Sequence, residues 1–167
     1  AAKLGQAIAY GARIVQVRGD FDSAMRLVQE ASQELGLYLL NSINPFRLAG
    51  QKTIIIELLH QLRWEPPDWI VLPGGNLGNT AAFGLAIVEL EAAGLIRRRP
   101  RLAVIQAEGA APFYRAYRSG FTTFSPEPAE TVASAIRIGN PVSYARARRA
   151  IQETDGLVEI VTDDEIL

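Results

Sequence analysis

Four apolar residues, Trp69-Ile70-Val71-Leu72, run directly into Pro73-Gly74-Gly75-Asn76-Leu77-Gly78-Asn79 and then into a helical pattern over residues 80–93 that Gly94 closes. An unbroken apolar run of this length suits a strand buried on both faces, the habit of parallel sheets. Strand, glycine-rich turn and helix in direct succession make half of a βαβ unit. Leu102-Ala103-Val104-Ile105-Gln106 supplies the returning strand. Open parallel sheets bind ligands where loops leave the C-terminal ends of their strands, and residues 73–79 form such a loop.

The same alternation extends along the chain. Residues 13–17, 37–40 and 157–161 read as further strands. Residues 21–35 read as an amphipathic helix with Asp20 as N-cap and Gly36 just past its end. Residues 41–47 read as a loop, followed by a helix over 50–62 and a break at Pro66-Pro67. A Pro-rich stretch at 125–128 precedes helices expected near 130–136 and 143–153. The expected class is α/β, a mostly parallel sheet with helices on both faces. The chain opens Ala1-Ala2-Lys3-Leu4, without Met and already helical in pattern, and Thr162-Asp163-Asp164-Glu165 has the spacing of a capping box. The chain is accordingly expected to be a central piece of a longer protein, incomplete at both ends.

At 167 residues, with 49% hydrophobic and 21% charged residues and a net charge of -1, the chain has the composition of an ordinary globular domain. That balance excludes the strongly basic surface of a nucleic-acid binder, and the longest apolar run is too short for a membrane span. With no cysteine, thiolate chemistry, disulfides and cysteine metal sites are absent from this sequence. A cytoplasmic location is the default expectation, and no metal site is expected. The lone histidine, His60, sits in a helical stretch and reads as a surface residue. The run Arg97-Arg98-Arg99-Pro100-Arg101 reads as a solvated turn, and the acidic residues 163–165 as a dipole-complementing helix start.

Gly74, Gly75 and Gly78 lack the Cβ atoms that would obstruct close approach, so successive backbone N–H groups can converge on an anion while the next helix presents its positive end. The loop is neither G-x-x-x-x-G-K-[ST] nor G-x-G-x-x-G, which sets nucleoside triphosphates and dinucleotides aside. Asn76 and Asn79 add side-chain amides. The plain structural alternative is a glycine-rich turn with Asn79 as an N-cap.

The run Leu72-Pro73-Gly74-Gly75-Asn76-Leu77-Gly78-Asn79 resembles the cofactor-phosphate loop of fold-type II pyridoxal-phosphate enzymes. Its surroundings resemble the threonine synthase family: Tyr10-Gly11-Ala12-Arg13, Asn41-Ser42-Ile43-Asn44-Pro45-Phe46-Arg47-Leu48 with Gly50-Gln51-Lys52-Thr53, Ile105-Gln106-Ala107-Glu108-Gly109-Ala110, and Ala135-Ile136-Arg137-Ile138-Gly139-Asn140-Pro141. The resemblance runs through nearly the whole chain in order. It implies the cofactor pyridoxal 5'-phosphate, its phosphate held by Gly74, Gly75, Asn76, Leu77 and Gly78. It also implies a lyase of threonine biosynthesis that converts O-phosphohomoserine and water to threonine and phosphate. Asn41, Ser42 and Arg47 would face the substrate's phosphate, a dianion that suits a guanidinium fork and neutral donors. Residues 137–141 would pass near the cofactor ring.

By the same resemblance, residues 1–62 belong to a smaller N-terminal domain and its connection, residues 63–167 to the larger cofactor-binding domain, and the parent enzyme is a homodimer. Ala49 and Leu85 depart from the family, where an acidic residue and a lysine are expected. Neither Lys3 nor Lys52 has the S-x-K-D-like context of the lysine that bonds the cofactor, so no catalytic residue is expected in this piece, which alone would be inactive. The competing reading is a noncatalytic, degenerate anion-binding module of the same fold. Another type II enzyme acting on an unphosphorylated substrate is disfavoured by the loop from Asn41 to Arg47.

Overall fold

The computed structural model describes residues 2–41 and 43–167, and among these the chain forms seven helices and three strands. They follow in the order α1 (Ala2–Ala9), α2 (Phe21–Leu35), α3 (Pro45–Gln61), β1 (Trp69–Pro73), α4 (Gly78–Ala92), β2 (Arg101–Ala107), α5 (Pro112–Arg118), α6 (Tyr144–Glu153), β3 (Leu157–Val161) and α7 (Asp163–Ile166). Contact density divides the chain into two compact units between Leu37 and Tyr38.

The first unit holds α1 and α2. Helix α2 has the expected bounds for the expected reasons: Asp20 Oδ1 accepts from the Ser23 N–H at 2.8 Å, and Gly36 takes the left-handed conformation at φ 64°. Residues 13–17 and 37–40 are not strands. A strand exists only through a neighbour that completes its ladder, and among the described residues neither segment has one. Their apolar side chains stay outward, Val15 82% and Leu40 80% exposed.

The second unit is built on a parallel sheet of order β1-β2-β3, as the α/β reading expects. Register sets Leu72 beside Val104 and Val104 beside Val158, so one sheet face is an apolar row of Ile70, Leu72, Leu102, Val104 and Val158. The central helix α4 buries Thr80, Ala81, Ala82, Phe83, Gly84, Ala86, Ile87 and Leu90, a face too wide for one neighbour, and it packs between α3 and α6. Ile55 and Leu59 of α3 and Ala147 and Ile151 of α6 complete this core. At Gly84 any Cβ would overlap Ala150, so glycine sets the close approach of α4 and α6.

Three expectations need correction. The strand at 69–72 alternates exposed and buried, because only one face of β1 is covered; Val71 on its other face is 65% exposed. Helix α3 starts at Pro45 rather than residue 50. Asn44 caps it, accepting from the Phe46 N–H at 2.9 Å, and Pro45 occupies the first turn, where its missing N–H costs nothing. Residues 130–136 form turns rather than a helix: the Thr131 hydroxyl and the Val132 N–H donate to Asp163, and the bonds inside the segment are short turn bonds, Ala133 N–H to Thr131 Oγ1 and Ser134 N–H to the Val132 carbonyl.

The arginine run is not simply a solvated turn. Arg98 donates to the carbonyls of Pro66 and Pro67, Arg99 bonds Glu91 and the Glu153 carbonyl, and Arg101 bonds Asp155 and lies 4.1 Å over the Trp69 ring. These contacts hold together the edges of the sheet and its connecting loops. Asp163 likewise does more than cap α7. It accepts from Thr131 Oγ1 at 2.5 Å and from the Val132 N–H at 3.1 Å.

Candidate functional site: an anion cradle behind the first strand

Between β1 and α4 the chain makes its turn with Leu77 at φ 62°, a left-handed residue standing as N-cap without a capping side chain. Ordinarily a Ser, Asp or Asn would occupy one of the free donors at a helix start. Here nothing does. Among the described residues no group accepts from the backbone N–H of residues 75–80, six donors in a row, and Ala81 is the first to bond back, to the Leu77 carbonyl at 3.0 Å. A run of unspent N–H groups at the positive end of a helix is the physical requirement for an anion site.

The loop is held from behind. The Gly74 N–H donates to the Ile105 carbonyl at 2.7 Å, and the fully buried Gln106 donates from Nε2 to the Gly74 carbonyl at 2.8 Å while Oε1 accepts from the Tyr114 N–H at 2.9 Å. Gly74 therefore has no N–H to offer a ligand. Its glycine identity answers to packing, since a Cβ there would stand 2.5 Å from Val104 Cγ1. A Cβ on Gly75 would stand 3.1 Å from Ile136 Cα, whereas one on Gly78 would meet only Gln51, at 3.6 Å. None of the three has a positive φ, so close packing, and not a special backbone conformation, demands glycine at 74 and 75.

The cleft in front of these donors measures about 280 Å³. Gly75 to Asn79 form its floor, Arg47 and Gln51 of α3 one side, and Ala135 and Ile136 the other. Of the residues expected to receive a substrate phosphate, Arg47 reaches the cleft from the first turn of α3. Asn41 does not line it; its Oδ1 accepts from the Ile43 N–H at 3.1 Å in a turn ahead of α3. Ser42 lies outside the described residues. Asn79 is not an N-cap but sits in the first turn of α4, its Oδ1 accepting from Gln51 Nε2 at 2.7 Å. That bond directs the donor end of the Asn79 amide away from Gln51. Arg137 is engaged with the Ala129 carbonyl and Glu130, so the wall near the cleft is made by Ala135 and Ile136.

Sequence reasoning missed Gln51, Gln106, Ala135 and Ile136. Gln106 carried a signal, a lone amide in a strand otherwise apolar from Leu102 to Ala107; the other three lie in segments that carry the family resemblance, which gives none of them a role of its own.

Other candidates fall away. Lys52 Nζ donates to both oxygens of Glu89, at 2.6 and 2.8 Å, bridging α3 and α4. His60 packs edge-on against Trp64, with centroids 5.6 Å apart. A second groove, of about 190 Å³, lies between α4 and α6. Its lining comes from the sides of two helices, whose N–H groups are spent within the helices, and Arg149 there is paired with Glu153. No group of metal-ligating side chains occurs among the described residues, and no helix there is long and apolar enough to cross a membrane.

Fold and cleft together define an α/β protein with a candidate anion site at the C-terminal end of a parallel strand. Residues 1–167 match the family model described as pyridoxal-phosphate dependent enzyme, and the chain belongs to that family. Threonine synthases from Methanocaldococcus jannaschii and Methanosarcina acetivorans are 47% and 48% identical to it over 166 residues, 99% of this chain and 41% of each relative. Threonine synthase 2, chloroplastic, from Arabidopsis thaliana is 47% identical over 168 residues, 99% of this chain and 33% of that protein. The chain thus spans about two-fifths of the length of the curated relatives it matches. Among solved structures, maize serine racemase superposes with a TM-score of 0.76 at 22% identity, over 99% of this chain and 47% of that one. Threonine synthase from Escherichia coli superposes with a TM-score of 0.71 at 26% identity, over 90% of this chain and 36% of that one.

The residues present fit the family's cofactor. A phosphate needs several donors without competing acceptors, and residues 75–79 line the cleft with their N–H groups unspent; an aromatic ring needs an apolar neighbour, and Ala135 and Ile136 line the same cleft.

Proposed function

We propose that this chain is part of a threonine synthase, the enzyme that converts O-phosphohomoserine and water to threonine and phosphate. The observation that carries the reading is the unbroken series of unspent N–H donors from Gly75 to Asn79, residues that line a cleft also lined by Arg47. In this reading Gly75, Asn76, Leu77 and Gly78 hold the phosphate of pyridoxal 5'-phosphate by backbone N–H groups, with Gly74 bracing the loop. Arg47 receives the phosphate of the substrate, its guanidinium the group suited to a dianionic leaving group, while Asn41 and Ser42 belong to the segment ahead of α3 that leads into it and are proposed to join the contact once substrate is bound. Bound there, the cofactor supplies an electron sink for the carbanion chemistry. The chain's own part is to orient both phosphates and to keep Ala135 and Ile136 against the ring side of the cleft. Similarity to threonine synthases over 99% of the chain supports the choice of a phosphorylated substrate.

The reading includes a homodimeric parent, with residues 1–62 in its smaller domain and 63–167 in its cofactor-binding domain. It also holds that this chain alone does not turn over. Its lysines are Lys3 and Lys52, and Lys52 is committed to Glu89. The test is an assay of threonine and phosphate release by the complete protein that contains this sequence, with and without Arg47→Met. The expected result is a KM for O-phosphohomoserine raised by about tenfold or more, the loss of a charge-assisted contact, with the cofactor's absorbance unchanged. An unchanged KM contradicts the role of Arg47, and threonine release by the 167-residue chain alone contradicts the claim that it lacks the essential lysine.

A further inference from the structure

The segment 131–143 forms one wall of the cleft without belonging to any helix or strand. Its internal backbone bonds are local: Ser134 to the Val132 carbonyl, Ile136 to Ala133, and Ile138 to Ile136. Such turns shape a strap and do not say where it sits; its bonds to neighbouring segments do, midway where the Gly139 carbonyl accepts from the Glu127 N–H at 3.2 Å and Arg137 Nε donates to the Ala129 carbonyl at 3.2 Å, and at its two ends. At one end Asp163 accepts from Thr131 Oγ1 and the Val132 N–H. At the other Asn76 accepts twice, its Oδ1 from the Val142 N–H at 2.7 Å and its backbone carbonyl from the Ser143 N–H at 3.3 Å. Between these anchors Ala135 and Ile136 rest against Gly75.

Asn76 is therefore both a member of the cradle, through its own N–H, and the fastening of the strap, through its side chain. The amide has only one workable orientation, because turning it over would set Nδ2 against the Val142 N–H, donor against donor. In that orientation Nδ2 is buried and has no partner among the described residues, as are Thr80 Oγ1 and Ser143 Oγ nearby on α4 and ahead of α6. A buried donor left unpaired is tolerated where its other end performs a task.

We propose that Asn76 is a positioning residue that couples the anion cradle to the strap. The Val142 to Asn76 bond, together with the bond from the Glu127 N–H to the Gly139 carbonyl, sets where Ala135 and Ile136 stand, and an anion on the loop N–H groups fixes Asn76 and so holds its end of the strap in place. The coupling is reciprocal: whatever strap order adds to anion affinity, anion binding adds to strap order. The proposal rests on the anion reading of the cleft and adds a residue role to it.

The test is site-resolved amide hydrogen exchange on the 167-residue chain, with and without inorganic phosphate as the probe. In phosphate-free buffer Asn76→Ala is expected to speed exchange at Val142 by about five- to tenfold, the loss of one hydrogen bond, with β2 amides as the internal reference for global unfolding. Phosphate is expected to slow exchange at 135–136 and 142–143 in the wild type and not in Asn76→Ala. Asn79→Ala, which touches the cleft but not the strap, is expected to bind phosphate more weakly yet keep normal Val142 protection. Asn76→Asp keeps an oxygen for Val142 and is expected to retain that protection while losing the phosphate response, since a carboxylate then faces the anion. Equal Val142 exchange in wild type and Asn76→Ala overturns the clamp whatever the cleft binds, as does loss of Val142 protection in Asn76→Asp with β2 still protected. A wild-type strap indifferent to phosphate, with the clamp intact, overturns the anion reading and the coupling with it.

Discussion

Gly75 and Ile136 approach so closely that a Cβ on Gly75 would stand 3.1 Å from the Ile136 Cα. The glycine loop is thus also the surface on which the opposite wall of the cleft rests, and the two features share one packing constraint. An alanine series separates them. Gly74→Ala drives a methyl into Val104 at 2.5 Å and Gly75→Ala into the strap; each is expected to destabilise by roughly 1–3 kcal/mol. Gly78→Ala meets Gln51 at an ordinary 3.6 Å and lowers unfolded-chain entropy within a helix, a gain of about 0.4–1 kcal/mol. Thermal midpoints are expected to fall for the first two and to hold or rise for the third. Equal losses at all three would refute the packing account.

Gln106 braces the loop by bonding the Gly74 carbonyl and the Tyr114 N–H from a fully buried position. Replacing it with leucine strands both backbone groups, at a cost of roughly 2–4 kcal/mol. Urea unfolding of Gln106→Leu measures this directly, and a loss under about 1 kcal/mol would mean the brace is dispensable.

Lys52 is expected to matter little. Its pair with Glu89 joins α3 to α4 at a partly exposed position, where such a pair contributes at most about 1 kcal/mol. Lys52→Met should therefore unfold within about that margin and bind anions at the cleft as the wild type does. Loss of cleft binding in this variant would give the lysine a role the geometry does not.

The last helix should respond to acid. The Thr162 backbone N–H at 2.8 Å, and then its hydroxyl at 2.9 Å, hold the Glu165 carboxyl below its ordinary value of 4.5. A carboxyl with a lowered folded pKa stabilises above its unfolded pKa, and that contribution is lost as pH falls through the folded value. The protection of the α7 amides, exchange rates taken relative to the intrinsic rate at each pH, should fall in that acid window in the wild type. In Glu165→Gln that fall should be absent, and an identical pH profile would contradict the capping box as its source.

Much of this was legible in the sequence, for physical reasons that differ by element. Helix α2 could be bounded from Asp20 and Gly36 because caps are local chemistry. Strand β3 could be bounded from its β-branched run. The start of α3 was misplaced because Asn44-Pro45 reads equally as a turn or as an N-cap with proline in the first turn. The strap could not be read at all. Its shape depends on Asp163 and Asn76, distant along the chain, and no local period reports such bonds. For the site, the glycine loop was visible as a motif, but the reason for Gly74 and Gly75 lies in Val104 and Ile136, which only the fold brings to them.

At the centre of the reading, the N–H groups of Gly75, Asn76, Leu77 and Gly78 hold a cofactor's phosphate. Pyridoxine 5'-phosphate, which has no aldehyde to react with lysine, can be titrated into the isotope-labelled chain and followed by amide chemical shifts, with pyridoxine as the unphosphorylated control. The account predicts saturable shifts at residues 75–80 and 135–136 with the phosphorylated compound, reversed by excess inorganic phosphate and absent with pyridoxine. Shifts confined to surface arginines, or equal responses to both compounds, would contradict it.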